Sequence, residues 1–560
     1  MKKISLILLL GIGAVGVSFY YAIQHLAAPP SKSSYYAQYL PGDTLAVISL
    51  FDLKGLSQSF PQSALGHFFA KPTLGGMMAE QGVDQETIWD YENFYDGAGD
   101  LLTNPFLLQL FGDDITFALL KPDPLQLRHN PEKELQKRLI AFGSSSTGKI
   151  IERIAWLALK DFSQERINGL QFTRIRLDDD EFLYGYIQNG VIILAYEPQR
   201  IIQALEQKEH DNSLEKQPYF ISAQKTWQKA ASVTYIHSYC NLEKFRELFV
   251  SSRNIHLEKI AAFMQGVHSF TSFVSLDKDT TFQFYTTIEY AQKALHESIQ
   301  EQLRTAHNIT LPFLSENTLF YCWFAGLDKK LVTQLAPFLT TTDQTVQEHL
   351  GLNLQQITNA VGSQISLVVN GITNAGFFPL PKFGLFAQIR EQVAAQELVQ
   401  KIRQRFDEKN IADERILEGE HPTIYYWSLL PPEAAHPAVA LSRLMLYIAN
   451  GELSLRTLLS REQQQGLVSP MRMLLGSKVG TQIGEDGYAL FFVRPALLAA
   501  EAKKAEVWLN AALGNSTEKI RAELLQLMSS FTLATWSIKF TENKMISEGY
   551  IMSNATPQKK

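Results

Sequence analysis

The feature that most constrains the fold of this chain is a series of six segments that occurs twice in the same order. LPGDTLAVISLFDLKGL begins at Leu40, and the similar LSENTLFYCWFAGLDKKL begins 274 residues later at Leu314. Identity within each pair is low, but six ordered pairs predict an internal duplication, with chance resemblance of ordinary strands as the alternative. The other pairs, at offsets of 250, 246, 253, 255 and 261 residues, are 111–120 with 361–370, 138–142 with 384–388, 194–205 with 447–458, 233–245 with 488–500, and 269–288 with 530–551.

Each copy shows strands and helices in an order typical of an α+β fold. In the first copy, three strand-like runs between residues 170 and 196 are close enough for an antiparallel meander. Asn189-Gly190 within it is a strong hairpin signal, because both residues accept positive φ. Helical periodicity precedes the meander, and a second helix follows it from Pro198. We therefore predict two related copies of an antiparallel or mixed sheet, each with helices packed on one face.

The chain length of 560 residues allows more than one domain, each with its own core. A run with helical periodicity at 291–308 separates the two copies. The predicted organisation is a transmembrane signal anchor at 1–28, a linker at 29–38, the first copy at 39–290, a connecting helix at 291–312, the second copy at 313–553 and a polar tail at 554–560.

The N-terminus predicts a membrane anchor. Residues 4–24 carry no charge, and at ~1.5 Å per residue they can cross a hydrocarbon layer of ~30 Å. Lys2 and Lys3 precede this run and no Lys or Arg follows until Lys32, so the positive-inside rule places the rest of the chain outside the cytoplasm. A cleaved signal peptide is the alternative, although LAAPP is a poor cleavage site. We expect a single-pass protein of the bacterial inner membrane with its body in the periplasm.

Composition limits the partners of this chain. Lys and Arg number 51 and Asp and Glu 57, a net charge of −6 without a long basic run, which argues against nucleic acid as a partner. Aromatic residues make up 11%, which indicates well-filled cores or, alternatively, an aromatic-lined ligand groove. The two cysteines, Cys240 and Cys322, lie in apolar strand-like runs, so we expect buried free thiols more than a disulfide.

GSSSTGKI, from Gly143, resembles a phosphate-binding loop between a strand and a helix. Its last position is Ile150, which cannot bind Mg²⁺ as Ser or Thr would. The nearest candidate for the metal-binding strand ends at Glu197 within the meander, and the matching segment of the second copy has no glycine loop. We interpret Lys149 as a surface lysine at the start of a helix and expect no nucleotide ligand.

The other catalytic motifs are equally weak. S-x-x-K occurs five times, among them Ser146/Lys149, Ser213/Lys216, Ser222/Lys225 and Ser275/Lys278, without its companion motifs. There is no G-x-S-x-G, and the 12 histidines lack helical zinc spacing, although a site from distant segments stays open. The acidic runs 178–181 and 112–114 are typical of turns, with a weak cation site at 178–181 as the alternative. The sequence thus predicts no catalytic, metal or cofactor-binding residue.

The opening of the first copy resembles a family of exported bacterial proteins of unknown function. Members begin LPADT, continue with an apolar strand and x-D-L, and then have T-x-L-G followed by Pro; here Gly42 replaces the alanine, and Ser63 or Ala64 takes the threonine position. The resemblance implies an anchored envelope protein and supplies no catalytic residue. The residues that carry it are Leu40, Pro41, Asp43, Thr44, Leu65, Gly66 and Pro72.

We therefore expect a binding, scaffolding or accessory protein of the cell envelope, with a possible envelope protein as partner. The alternatives are a lipid or peptide carrier with an aromatic-lined cleft and an envelope hydrolase whose site is assembled from dispersed residues. A carrier requires a continuous apolar cavity, and a hydrolase requires polar groups that converge in one cleft. A scaffold has an exposed apolar patch instead.

Overall fold

A computed structural model describes residues 36–554 with gaps, and its chain divides into two compact units. The first is Met1–His296 with Asn543–Met545 and Pro557–Lys560, and the second is Glu297–Glu542 with Ile546–Thr556. The gaps are 60, 62–63, 104–107, 109–110, 112–113, 145–161, 178–180, 189, 209–211, 231–232, 252–254, 277–280, 296–299, 301–302, 304, 327–343, 345–346, 349–350, 376–377, 409–412, 418–421, 430–435, 463–474, 476–478, 481–482, 484 and 505–517.

The first unit is built on an antiparallel sheet in which β1 is central. Its strands pair in the order β4-β5-β6-β7-β3-β2-β1-β8-β9-β10, and each neighbouring pair is antiparallel. The strands are β1 (Ala46–Phe51), β2 (Asp114–Leu119), β3 (Leu139–Ser144), β4 (Phe162–Ile167), β5 (Leu170–Arg176), β6 (Phe182–Gln188), β7 (Val191–Ala195), β8 (Val233–Asn241), β9 (Val267–Leu276) and β10 (Thr281–Tyr290).

Helices occupy the longer connections of this sheet. Four lie between β1 and β2, two between β2 and β3, two between β7 and β8 and two between β8 and β9 in the described residues. Short 3-10 turns at Ala37–Tyr39, Leu214–Lys216 and Gln292–Ala294 and a π-turn at Lys71–Gly75 complete the unit. The helices are α1 (Leu53–Ser59), α2 (Ala64–Phe68), α3 (Gly76–Glu80), α4 (Gln85–Thr103), α5 (Pro124–His129), α6 (Pro131–Lys137), α7 (Pro198–Gln207), α8 (Pro218–Trp227), α9 (Leu242–Ser251) and α10 (Ile255–Phe263).

The second unit has the same order of strand pairing. Its sheet runs β15-β16-β17-β18-β14-β13-β12-β20-β21, antiparallel throughout. The hydroxyls of Thr532 and Ser537 on β21 donate to backbone carbonyls of β22. β11 and β19 form a separate ribbon. The strands are β11 (Ala306–His307), β12 (Phe320–Phe324), β13 (Val361–Ala375), β14 (Phe378–Ile389), β15 (Glu414–Leu417), β16 (Ile424–Trp427), β17 (Ala438–Leu441), β18 (Met445–Ala449), β19 (Asp486–Gly487), β20 (Ala489–Val493), β21 (Phe531–Phe540) and β22 (Lys544–Ser553), of which Lys544 and Met545 belong to the first unit.

Four of the five described helices of the second unit, all except the one that follows β14, lie in connections that also carry described helices in the first unit. A 3-10 turn at Leu311–Phe313 precedes β12, as the turn at Ala37–Tyr39 precedes β1. The helices are α11 (Leu354–Ala360), α12 (Gln392–Glu408), α13 (Glu452–Glu462), α14 (Pro495–Lys504) and α15 (Glu518–Ser529). The prediction of an α+β fold with a large antiparallel sheet is confirmed.

The second unit has an apolar core on each face of its sheet. Phe386 and Ala387 are neighbours on β14 and therefore point to opposite faces. Phe386 belongs to a core that α13 completes with Leu455, whereas Ala387 belongs to a second core that α12 completes with Leu398. The prediction that helices cover one face is thus wrong for this unit, because both faces of the sheet are apolar enough to bury a helix.

The structure also revises the predicted boundaries. Tyr36 and Ala37 fall in the predicted linker 29–38 but are fully buried, so the folded body begins before residue 39. The described residues of 291–312 include a helical Gln300 but also 3-10 turns and β11, so a helix does not extend over the whole of the predicted range. The hairpin at Asn189-Gly190 is confirmed by the pairing of β6 with β7 and by the φ of +80° at Gly190.

The predicted anchor at 1–28, the start of the linker and most of the polar tail lie outside the described residues. Among the residues that are described, no helix is both long and apolar enough to cross a membrane. The anchor therefore stays a prediction from the sequence.

Candidate functional site

A cavity in the described part of the second unit lies along helix α12. One stripe of the helix is buried in the second core, including Ala395, Leu398 and Val399. Near its C-terminal end, the ring of Phe406 stacks on Trp427 of β16 with the centroids 4.3 Å apart. These contacts fix the helix against the sheet, so the stripe beside the buried one has a defined position.

That neighbouring stripe consists of four exposed glutamines. Gln392, Gln396, Gln400 and Gln404 follow one another at intervals of four residues, so they lie on one side of the helix at steps of about 6 Å. All four line a cavity of about 480 Å³. Within the described contacts, none of these amides hydrogen-bonds to another protein group. The stripe therefore presents unused amide donors and acceptors to the cavity.

The opposite wall comes from the short strands next to the helix. Thr423 and Tyr425 of the β16 segment and Leu441 of β17 line it. Arg403 reaches across from α12, and its Nε and Nη2 donate to the two carboxylate oxygens of Glu414 at 2.6 and 2.7 Å. This bidentate geometry is the strongest form of an arginine–carboxylate pair.

Arg403 is a rigid part of the cavity wall. Its guanidinium carbon lies 4.1 Å from the centre of the Tyr425 ring. The hydrogen bonds to Glu414 raise the pKa of Arg403, and the nearby Tyr425 and Asp407 act in the same direction. Because its charge is already paired, the arginine shapes the groove more than it attracts an anion. Asp407, exposed at one end, is the other charged residue of the lining.

Only the first residues of the segment that resembles a phosphate-binding loop are described. Gly143 and Ser144 end β3, whereas Lys149 and Ile150 lie outside the described residues, as does the predicted helix at 149–161. Ser144 Oγ donates to Asp114 Oδ1 at 2.5 Å, and Tyr36 donates to the other oxygen of this buried carboxylate at 2.7 Å. The start of the loop is therefore tied to the core by a structural hydrogen-bond network.

The S-x-x-K pairs do not form serine–lysine sites in the described residues. Ser222 donates to Glu289 and accepts from Lys544 Nζ at 3.0 Å, all within the first unit, and Lys544 forms an ion pair with Glu289 at 2.7 Å. Lys225, its partner in the motif, does not contribute. Ser213 is buried near Pro41, and Lys278 lies outside the described residues. The Ser222 cluster links α8 to β10 and has the form of a structural contact.

The remaining titratable candidates have pKa values that burial shifts away from their ordinary range. Burial lowers the pKa of His237 to about 3 and raises that of the Cys240 thiol to about 12. A thiol with a raised pKa is a poor nucleophile. Cys322 is half-buried, and neither cysteine forms a disulfide. In the described residues no group of three His, Cys, Asp or Glu side chains could hold a metal, while Asp178–Asp180 lie outside them.

The glutamine groove was missed at the sequence level. The signal was present, because Gln392, Gln396, Gln400 and Gln404 repeat every four residues in a predicted helix. A run of exposed polar residues is the ordinary surface of an amphipathic helix, however, and only the facing wall turns it into a cavity.

Comparisons of the chain with protein-family models, with curated proteins and with solved structures each find no match, so the resemblance of the opening segment to an exported family stays a prediction.

Proposed function

We propose that the protein is a membrane-anchored binding or scaffolding protein of the cell envelope, and that the groove along α12 is where it holds its partner. The observation that carries the proposal is the cavity of about 480 Å³ with four unpaired glutamine amides on one wall. A volume of this size is typical of ligand sites. The lining is polar, which favours a polar partner over the lipid of the carrier hypothesis.

We also infer that the two units are copies of one ancestral unit. Nine successive strands pair in the same order in both, with a 3-10 turn before the central strand in each. The backbone hydrogen bond just before the central strand also joins corresponding residues in the two units. Leu45 N donates to Leu119 O in one unit, and Leu319 N donates to Val369 O in the other.

Fusing a reporter enzyme after residue 38 and after the full chain would test the proposed periplasmic location.

The function is tested by site-specific photo-crosslinking in the membrane fraction of cells that produce the full chain. A photoreactive phenylalanine at position 400 lies in the groove. The same group at position 397 is a matched control, because Glu397 is exposed on the same helix but does not line the cavity. We expect one defined envelope component to be captured from position 400 and not from 397.

The proposal also requires that substitutions in the groove weaken the contact between the protein and the captured component. The double variant Gln396→Glu/Gln400→Glu should reduce capture from a third groove position, 392, at equal protein level. Equal capture from 397 and 400, or a stoichiometric lipid in the purified protein, would refute the groove as a polar partner site and favour the scaffold patch or the carrier, respectively.

A further inference from the structure

We propose that the occupant of the α12 groove is a single extended peptide segment whose backbone runs along the helix. This inference rests on the proposed function, and it specifies the chemical class of the partner. It is carried by the match between the spacing of the glutamine stripe and the repeat of an extended chain.

The spacing favours a strand-like peptide. Successive glutamines on α12 are four residues apart, which is about 6 Å along the helix axis. An extended chain turns the N–H and C=O of every second residue to the same side, with a repeat of about 6.6 Å. The mismatch of about 0.6 Å per step is small compared with the reach of a glutamine side chain, which has three rotatable bonds.

The chemistry of the wall fits a peptide backbone. Each glutamine offers a carbonyl acceptor and an NH₂ donor, and each residue of an extended peptide offers one N–H and one C=O. The four side chains are exposed and have no hydrogen-bond partner among the described contacts. An anionic ligand would instead need an unpaired cation, and the guanidinium of Arg403 is already bound to both oxygens of Glu414.

The length and the charge of the groove specify the peptide further. From Gln392 to Gln404 the stripe spans about 18 Å, which corresponds to five or six extended residues at about 3.3 Å each. Asp407 and the C-terminal end of α12 make one end of the groove negative. We therefore expect a basic side chain at the end of the peptide next to Asp407.

The test uses a random heptapeptide library displayed on phage, selected against the full chain purified in detergent. Selected peptides are then synthesised in two N-methylated forms, one blocked at positions 1, 3 and 5 and the other at 2, 4 and 6. Because one face of an extended peptide contacts the glutamines, one form should lose about a hundredfold in affinity or more, and the other should stay within about threefold.

Variants of the protein locate the binding. Gln396→Glu/Gln400→Glu replaces two donors by acceptors of the same shape and should weaken the peptides at least tenfold. Glu397→Gln changes the charge of the same helix outside the groove and should have an effect within about twofold. Both substitutions are at exposed positions, so equal unfolding midpoints are expected and serve as the folding control.

Failure of the inference differs from failure of the proposed function. No selected peptide, equal loss from both methylated forms, or unchanged binding by the glutamine variant would each overturn the extended-peptide inference. If position 400 still captured one envelope component under those results, the groove would remain a partner site for a ligand of another class. Loss of that capture as well would overturn both.

Discussion

The pH dependence of stability should be dominated, in the first unit, by one buried histidine. His237 lies on β8 with 3% of its surface exposed. Its ring stacks on Trp227 with the centroids 4.5 Å apart and an interplanar angle of 4°, and the centroid of the Phe51 ring, nearly perpendicular to it, lies 5.2 Å away. This apolar environment lowers the pKa of His237 from 6.5 to about 3. In the unfolded chain the imidazole recovers its ordinary pKa.

The direction of the effect follows from the number of bound protons. Between pH 6.5 and pH 3 the unfolded chain binds a proton that folded His237 does not, so the free energy of unfolding falls as the pH falls through this window. One proton corresponds to ~1.4 kcal/mol per pH unit. At pH 5 the loss is therefore about 2 kcal/mol, and above pH 7 the histidine causes none.

His237→Leu isolates this contribution. Leu490 occupies the corresponding position of β20, because His237 pairs with Ser49 of β1 as Leu490 pairs with Trp323 of β12. At pH 7.5 we expect the variant to unfold within ~1 kcal/mol of the wild type, since a ring contact is lost but an apolar side chain is gained. Between pH 7.5 and pH 5 it should lose about 2 kcal/mol less than the wild type.

The measurement is urea unfolding of the full chain at both pH values, combined with hydrogen exchange of peptides from β8 so that the change is assigned to the first unit. His307→Leu, at an exposed position of the second unit, is the control and should not alter the pH dependence of β8. The reasoning would be refuted if wild type and His237→Leu lost the same stability between the two pH values.

Other substitutions test the contacts around the two units. Gly143→Ala should lower the free energy of unfolding by about 1–3 kcal/mol in urea titration, because the added Cβ would overlap the ring of Phe111. Asp114→Asn should lower it by about 1–3 kcal/mol, since two hydroxyls donate to this buried carboxylate and an amide nitrogen cannot accept. Asn353→Ala removes the capping box of α11, which should cost about 1 kcal/mol of stability and lower the midpoint of thermal unfolding. Lys149→Ala should leave folding unchanged, and calorimetry should detect no ATP binding to either protein.

The order of the repeated strands along the chain could be predicted from the sequence, but the register of their pairing could not. The paired residues place Leu139 opposite Leu119 and Phe383 opposite Val369, so the two third strands are 383 − 139 = 244 residues apart, where alignment predicts 246. The same comparison of paired residues gives offsets of 254 for β7 and β18, 253 for β8 and β20, and 264 for β9 and β21. The sequence alignment predicts 253, 255 and 261 for these three pairs. The offsets of the β3/β14 and β8/β20 pairs differ from the aligned ones by two, which keeps the alternation of apolar residues, so the sequence pattern cannot detect the shift. The offsets of the β7/β18 and β9/β21 pairs differ by one and three, so there the alignment pairs residues of opposite faces.

Strand β4 was not predicted from the sequence because its composition is polar. Phe162–Ile167 reads FSQERI, which is too polar to resemble a half-buried strand. It pairs with β5 across Asn168-Gly169, where φ is +51° and +80°, and among the described pairings it has no second neighbour. Charged residues on an edge strand prevent pairing with another chain, so its composition reflects its position in the sheet.

The position of the groove within the repeated plan separates it from the segment that resembles a phosphate-binding loop. Both follow corresponding strands of the two sheets: β14 leads to α12, and β3 leads to GSSSTGKI and the residues that follow. Residues 145–161 contain no glutamine, whereas α12 has four at intervals of four. If the units are copies, one connection was free to keep a glycine-rich turn while the other acquired an amide-lined wall. A partner of the groove should therefore bind once per chain, and a stoichiometry of two would contradict its assignment to α12.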